Sequence, residues 1–387
     1  MKLETLLANI VHYCDVPDDK GSSHIPIYNT ATFDLKRQQG NDKIYGYSRS
    51  DNPTRNAVET IFNKAEDGAG CTCTNTGVSA LALLFDATLR AGDAVLVERD
   101  CYGGTYRLLN VLKEKNNIRT HYVDFLNLDE VEQIISRGNF KLILCESPTN
   151  PGMKILDLSA IAALAKKYDI LFAVDNSLAT FASQQPISFG ADFSVFSTTK
   201  FISGHGSVTA GAIVSKDPSL AKKVKYLSNA EGRAQSPFDA FLVSLGLPTL
   251  PYRMRIQEQS ALDIATFLTT HPDVIQVKFP GLPDHPQYEL AKKQMQVIPA
   301  VLTLNLVSEE KAVQLIRNTK LFGEKASFGT SDSRMEIPSK MSHASFSEAD
   351  LAEIGLTKST VRISVGLEDT QDLIDDIINA LKLNAET

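Results

Sequence analysis

Short apolar runs and longer amphipathic segments alternate along the first two thirds of the chain. The runs favour strands at residues 94–98, within 118–125, and at 141–147, 171–177 and 192–201, and the amphipathic or buried segments favour helices at 77–90, 128–136 and 158–170. The run KLILCES at 141–147 is continuously apolar at its centre, as expected of a parallel strand that is covered on both faces. The pattern therefore predicts an α/β fold with a mostly parallel sheet.

The pattern changes near residue 246. The segments that follow predict helices at 252–270, 308–321 and 370–383, strands at 300–307 and 360–366, and a proline-rich connection at 280–287. A length of 387 residues also exceeds what one hydrophobic core usually serves. We therefore predict an irregular, polar N-terminal arm at 1–55, a large domain at 56–245 and a smaller α+β domain at 246–387.

Composition excludes several classes of protein. The chain is 43% hydrophobic and 22% charged, as globular proteins are, and its net charge of −7 offers no footprint for nucleic acid or an anionic membrane. Its apolar runs are too short to cross a bilayer, and the first residues lack the features of a secretory signal. Neither a GxGxxG motif after a strand nor a P-loop is present.

Cysteine usage points to a reducing compartment. The five cysteines are an odd number at irregular spacing, which favours a cytoplasmic location. Cys71 and Cys73 form a close pair, but neither a second pair nor a nearby histidine accompanies them. We therefore predict buried thiols there and no metal site.

The most informative residues lie where two of the predicted strands end. Asp175 closes the first run, and Ser197, Thr199 and Lys200 close the second. This set suits pyridoxal 5′-phosphate (PLP), because an amine can form a Schiff base with its aldehyde and a carboxylate can keep its pyridine nitrogen protonated. The hydroxyls would bind phosphate oxygens. Ligands of parallel sheets bind at this edge, although a lone aspartate or lysine there is more often a surface group.

A possible anion site lies at the start of the helix at 77–90. Thr76, Gly77, Val78 and Ser79 open this helix. A helix N-terminus offers free N–H groups and a positive dipole, and glycine permits an anion to approach closely. Simple capping by Thr76 or Ser79 is the alternative explanation.

The segment from Asp192 to Gly206 resembles the lysine signature of the Cys/Met-metabolism PLP enzymes. It reads Asp-Phe, three residues, Ser-Thr-Thr-Lys-Phe-Ile, one residue, Gly-His-Gly. That family holds the cystathionine synthases and lyases, methionine γ-lyase and the homoserine sulfhydrylases, and the similarity extends over nearly the whole chain. The resemblance implies PLP fold type I, similar to aspartate aminotransferase, and a small amino-acid substrate.

Further motifs carry the same resemblance. Tyr102, in a Tyr-Gly-Gly-Thr motif, would stack on the cofactor and transfer a proton, and Gly77 and Val78 would hold the phosphate through backbone N–H groups. Tyr47 and Arg49 match a motif that implies contact with the phosphate of a neighbouring subunit. The family therefore implies shared active sites in a homotetramer built as a dimer of dimers.

Substrate contacts are implied in three more places. Asn150 lies in a Glu-Ser-Pro-Thr-Asn-Pro loop and would lie near the substrate carboxylate. Arg362 lies inside an apolar strand, where a charge needs a partner. The resemblance makes that partner the substrate carboxylate, and a buried internal acid is the alternative. Ser327 would line the same pocket.

The segment 325–336 departs most from the family and bears on the reaction. Ala326 stands where cystathionine γ-enzymes usually carry glutamate, and Gly103 stands where methionine γ-lyases tend to carry cysteine. The chain is also short for a homoserine sulfhydrylase. The resemblance thus favours cystathionine β-lyase, with cystathionine γ-synthase and cystathionine γ-lyase as alternatives. A PLP-free scaffold is the non-enzymatic alternative, against which the intact residue set argues.

Overall fold

The computed structural model describes residues 1–14, 20–40 and 43–382. Its helices are α1 (Leu3–Ala8), α2 (Ile10–Tyr13), α3 (Pro53–Glu66), α4 (Gly77–Thr88), α5 (Gly103–Asn116), α6 (Leu128–Arg137), α7 (Leu158–Lys167), α8 (Thr180–Ser183), α9 (Pro218–Glu231), α10 (Pro237–Gly246), α11 (Leu250–Thr269), α12 (Tyr288–Gln294), α13 (Glu309–Asn318), α14 (Glu348–Glu353) and α15 (Thr370–Lys382). The last residue of the predicted helix at 370–383 lies outside the described ranges.

The large sheet has seven strands in the order β1-β7-β6-β5-β4-β2-β3. They are β1 (Gly70–Thr74), β2 (Ala94–Glu98), β3 (Arg119–Val123), β4 (Phe140–Glu146), β5 (Leu171–Asp175), β6 (Phe193–Phe196) and β7 (Gly211–Ser215). Strand β7 runs antiparallel to both of its neighbours, and the pairs from β6 to β3 are parallel. Every residue of β2, β6 and β7 is buried, because helices cover both faces. The predicted α/β fold with a mostly parallel sheet is confirmed.

The small sheet has five strands in the order β10-β11-β12-β9-β8. They are β8 (Val274–Lys278), β9 (Val301–Leu306), β10 (Gly323–Glu324), β11 (Arg334–Glu336) and β12 (Thr360–Ser364). Strand β12 pairs antiparallel with β9 and β11, while α11 and α13 pack against the sheet and α15 packs against these two helices. Two separate sheets accord with the predicted change of pattern, and the domain boundaries at 55/56 and 245/246 stay predictions.

The N-terminal arm contains more regular structure than its polar sequence indicates. Helices α1 and α2 bury Leu6, Leu7 and Ile10 in the core that also contains α3, and α3 begins at Pro53, inside the predicted arm. These helices are too short to show a helical period, so packing rather than pattern stabilises them.

Membrane-spanning helices and clusters of metal ligands are both absent from the described residues. No helix within them combines the length and the apolar character needed to cross a bilayer. They also contain no group of three or more His, Cys, Asp or Glu side chains that could hold a metal ion.

Candidate active site

The ends of β5 and β6 meet at the carboxyl edge of the large sheet. Their parallel pairing sets Asp175 beside Val195, so that the segment from Ser197 to Lys200 continues next to the aspartate. The Ser177 hydroxyl donates a hydrogen bond to Asp175 Oδ1 at 2.5 Å and accepts one from the Ser197 N–H at 2.6 Å. Ser177 thus connects the two strand ends and holds the carboxylate in place.

Asp175 is 7% exposed, and this burial raises the pKa of its carboxyl. Hydrogen bonds from the side chain and backbone N–H of Ser177 and the positive charge of Lys200 oppose the rise. A buried carboxylate of this kind is stabilised further by a cationic partner. A protonated pyridine nitrogen is one such partner.

Lys200 points from the large sheet toward the small one. Its Nζ donates a hydrogen bond to Ser327 Oγ at 2.6 Å and lies 4.8 Å from the centre of the Phe328 ring. Burial, reinforced by the positive charge of Arg362, lowers the pKa of the Lys200 amine to about 8. A lysine with a lowered pKa is available as a nucleophile and as a base near neutral pH.

A cavity of about 210 Å³ lies between these groups and the start of α4. The start of α4, the ends of β4 and β5, loops at the edge of the large sheet and the loop between β10 and β11 border it: Thr76, Gly77, Val78, Leu81, Tyr102, Glu146, Asn150, Asp175, Ser177, Ser197, Thr199, Lys200, Thr209 and Phe328. Eight of the twelve residues predicted from sequence lie on its wall. Ser327 and Arg362 contact that wall through Lys200 and Asn150, and Tyr47 and Arg49 lie away from it.

The first turn of α4 is held close to the end of β6. The Thr76 hydroxyl caps the helix by accepting the Ser79 N–H at 3.0 Å, so the capping considered as the alternative does occur. A Cβ atom added to Gly77 would lie 2.6 Å from Ser197 Cβ, which is too close for any side chain. The glycine therefore allows the helix N-terminus and the Ser197 segment to form one wall of the cavity.

The Thr199 hydroxyl is already engaged with the backbone. It donates to the Ala210 carbonyl at 3.2 Å and accepts the Ala210 N–H at 2.9 Å. These bonds fix the loop that leads to Lys200. A hydroxyl has one proton to donate, so a phosphate contact from Thr199 would replace the bond to the carbonyl.

Tyr102 and Glu146 form another part of the cavity wall. Tyr102 precedes α5, and its backbone N–H donates to Glu146 Oε2 at 3.0 Å. Burial, together with the nearby negative charges of Asp175 and Asp100, raises the pKa of the Glu146 carboxyl well above its usual range.

Arg362 is buried in β12 and has an internal acid as a partner. Its Nη2 lies 3.1 Å from Glu336 Oε1 and donates to the Ser327 carbonyl at 2.9 Å, while Nη1 donates to Asn150 Oδ1 at 2.9 Å. The buried acid considered as the alternative is therefore present. The bond to Asn150 nevertheless brings the guanidinium to a residue of the cavity wall, and it links β12 to the loop that follows β4. Burial lowers the pKa of Arg362 despite the opposing charge of Glu336.

Tyr47 and Arg49 lie on the surface of their own chain. Tyr47 is 47% exposed, and the Arg49 guanidinium lies 5.4 Å from the centre of its ring. Arg49 Nε donates to Asn229 Oδ1 at 3.3 Å. Their assignment to a neighbouring subunit stays a prediction.

The site also contains residues that sequence reasoning missed. Ser177 follows Asp175 by two residues, and the run of polar residues after the strand was the one signal for it. Glu336 and Phe328 lie in the divergent segment 325–336, and they gain a role through the register of β11 against β12 and through the approach of Lys200.

The residues on the cavity wall fit PLP. The helix N-terminus at Gly77 and Val78 suits a phosphate, the amine of Lys200 suits an aldehyde, and the carboxylate of Asp175 suits a pyridinium nitrogen. All three groups face one cavity of about 210 Å³.

Comparison with known proteins gives the same result. The family described as Cys/Met metabolism PLP-dependent enzyme matches residues 7–382. A cystathionine gamma-lyase of Bacillus subtilis (strain 168) is 37% identical over 99% of this chain and 100% of its own length. A cystathionine beta-lyase of Lactococcus lactis subsp. cremoris (strain MG1363) is 37% identical over 94% of both chains, and a cystathionine gamma-synthase of Mycobacterium leprae (strain TN) is 37% identical over 97% of this chain and 96% of its own.

Solved structures agree with these relatives. Cystathionine gamma synthase from Xanthomonas oryzae pv. oryzae, in complex with aminoacrylate and cysteine, superposes with a TM-score of 0.94 at 35% identity and 98% coverage of both chains. Cystathionine gamma-lyase from Lactobacillus plantarum, complexed with L-serine, gives 0.93 at 33% identity and 98% coverage of both. This chain belongs to the Cys/Met metabolism PLP-dependent enzymes, and it has their fold type I architecture.

Proposed function

We propose that the protein is a cystathionine β-lyase, which splits cystathionine into homocysteine, pyruvate and ammonia. The observation that supports this choice is Ala326, whose methyl group is exposed beside Ser327. A methyl group cannot hold the distal ammonium group for which the family's γ-enzymes usually use glutamate. Lys200, Asp175 and Arg362 supply the parts that any reaction of the family needs.

Each residue of the site has a role in this proposal. Arg362 and Asn150 bind the α-carboxylate of the substrate, because the guanidinium and amide already face the cavity together. Lys200 removes the proton from the substrate Cα, for which its lowered pKa prepares it. When bound, PLP supplies an electron sink for the charge left at Cα.

The remaining residues hold the ring and the leaving group. Asp175 would keep the pyridine nitrogen of the bound cofactor protonated, and Tyr102, on the same cavity wall, would contact its ring and transfer a proton to the departing sulfur. Gly77 and Val78 bind the phosphate through backbone N–H groups, and the hydroxyls of Ser197 and Thr199 add to that contact.

We further propose that the active site is shared between subunits. Tyr47 and Arg49 are exposed and lie away from the cavity of their own chain, so they are free to reach the phosphate of a neighbour. An arginine suits a dianionic phosphate, because its planar guanidinium can donate two parallel hydrogen bonds. The assembly proposed is a homotetramer made of two such dimers, in a cytoplasmic setting.

Cystathionine γ-lyase and cystathionine γ-synthase are the competing functions. The relatives do not discriminate among the three functions, because enzymes named for each of the three reactions are 37% identical to this chain. The experiment is therefore identification of the products formed from cystathionine by the PLP-loaded protein, with Lys200→Ala as the inactive control.

Three outcomes separate the reactions. Pyruvate with homocysteine supports β-lyase, and 2-oxobutyrate with cysteine shows γ-lyase instead. Turnover that requires added O-acyl-homoserine and cysteine shows γ-synthase. Absence of all three reactions in protein that binds PLP contradicts the proposal.

A further inference from the structure

Arg334 shares a face of the small sheet with Glu336 and with the proposed substrate-binding residue Arg362. In the antiparallel register of β11 against β12, Arg334 lies opposite Ser364 and Glu336 lies opposite Arg362. Alternate residues of a strand project from the same face, so Arg334 projects on the side of Glu336 and Arg362. The buried Met335 between them projects into the core on the other side.

The guanidinium of Arg334 lies at the rim of the active site. Its Nη1 donates to the Ala326 carbonyl at 3.3 Å, and the next residue, Ser327, accepts the hydrogen bond from Lys200. Its Nη2 would lie 3.2 Å from a Cβ added to Gly206, in the loop that follows Lys200. After burial and the charge of Arg362, the charge of Arg334 also helps to lower the pKa of Lys200, as a cation near the amine must.

The segment 325–334, which forms this rim, carries a net positive charge. Asp332 is the acid of the segment 325–334, and it pairs with two cations, Lys325 at 3.1 Å and Arg334 at 2.9 Å. Arg334 side-chain exposure is 15%, and that of Lys325 is 56%. The arginine is therefore held in a fixed geometry, while the lysine projects into solvent.

Arg334 has capacity for another partner. It makes three hydrogen bonds within the described part of the chain, two to Asp332 and one to the Ala326 carbonyl. An arginine has five N–H groups, so two remain. Asp332 and Ala326 also orient the guanidinium, and an oriented guanidinium loses little freedom when it binds a carboxylate.

We propose that Arg334 is a specificity-determining residue, which binds a carboxylate on the half of the substrate beyond the sulfur. This inference rests on the proposed function, in which the α-carboxylate occupies Arg362. It predicts a preference for thioether amino acids whose second half is anionic, such as cystathionine, over those that end in an alkyl group.

Two analogues of equal length test the proposal on the PLP-loaded protein. S-(2-carboxyethyl)-L-cysteine and S-propyl-L-cysteine differ at the distal end by a carboxylate in place of a methyl group. Their initial binding is measured from the change in visible absorption of the bound cofactor, so neither needs to be turned over. We expect the wild type to prefer the carboxylate analogue by about tenfold to a hundredfold, as for a charged hydrogen bond.

Two variants identify the residue responsible. Arg334→Met should bind both analogues with equal affinity, and its affinity for S-propyl-L-cysteine should match that of the wild type. Lys325→Met removes a positive charge from the same acid and should keep the preference. Arg334→Lys keeps the charge without the planar fork, should give an intermediate preference, and serves if Arg334→Met loses PLP or fails to fold.

The outcomes separate this inference from the proposed reaction. Equal binding of both analogues by the wild type, or a preference that survives in Arg334→Met, refutes the role of Arg334. If Lys325→Met loses the preference as fully as Arg334→Met does, the net charge of the rim, not Arg334, is responsible. A wild-type preference abolished by Arg334→Met, in a protein that fails to cleave cystathionine, supports the contact and contradicts the β-lyase proposal.

Discussion

Replacement of Gly77 by alanine tests whether the N-terminus of α4 is the phosphate site. The added Cβ would lie 2.6 Å from Ser197 Cβ and 2.9 Å from Ser197 Cα, whereas ordinary contacts are 3.4–4 Å. Neither atom belongs to a flexible side-chain end, so the first turn of α4 must move by about 1 Å. That movement destabilises the fold by about 1–3 kcal/mol, the usual effect of an overpacked core.

The same movement should weaken PLP binding. Backbone N–H donors bond acceptors at about 2.7–3.2 Å, so a shift of about 1 Å breaks or bends the bonds to a phosphate. A hydrogen bond to a charged group contributes about 1.5–3 kcal/mol, and its loss raises the Kd for PLP by roughly tenfold to 150-fold.

The assay is titration of the cofactor-free protein with PLP, followed by visible absorption, together with a thermal melt of each variant. Val78→Ala is the matched control, because it shortens a side chain that is 38% exposed and leaves the backbone donors unchanged. We expect Val78→Ala to bind PLP as the wild type does. A wild-type Kd in folded Gly77→Ala would show that the phosphate binds elsewhere.

Two further predictions concern Lys200 and Arg49. In cofactor-free protein, Lys200→Met should raise the free energy of unfolding at pH 7 by up to about 3 kcal/mol, because the lysine pKa falls from 10.5 to about 8 on folding. This gain in the free energy of unfolding should shrink between about pH 8 and 10.5, where the folded wild-type lysine is neutral and the unfolded one still binds a proton. Denaturant titrations that show a constant gain across that range would contradict the prediction. Co-refolding inactive Arg49→Ala and Lys200→Ala chains should restore part of the lyase activity, since one site of each hybrid dimer keeps both residues. Hybrid dimers that form without activity would show that both residues serve the site of their own chain.

The strands that were predicted well are the continuously apolar ones. Residues 94–98 coincide with β2, and the predicted runs at 141–147 and 171–177 contain nearly all of β4 and β5. Strand β1 was missed, because its residues (GCTCT) carry neither a long apolar run nor a clear alternation. The reversed direction of β7 was also invisible, since direction depends on which neighbours a strand finds and not on its own residues.

The site was predictable where its residues occur together in the sequence. Lys200 and its hydroxyl neighbours form one run, and Asp175 ends the preceding strand. Glu336 was not predictable as a partner of Arg362, because the register of β11 against β12 brings the two residues together. Ser177 was missed for a similar reason, as its hydroxyl gains a role once β6 lies beside β5.

The site is divided between the two sheets, and this division has a consequence for how the family diversifies. Asp175 ends β5 and Lys200 follows β6 of the large sheet, whereas the segment 325–336 leads into β11 of the small one and contacts the amine through Ser327. Substitutions in that short segment can exchange the substrate while the acid–base machinery stays intact. Enzymes named for different reactions can therefore be equally similar to one chain, and a chimera that transplants this segment alone is the natural way to exchange their selectivity.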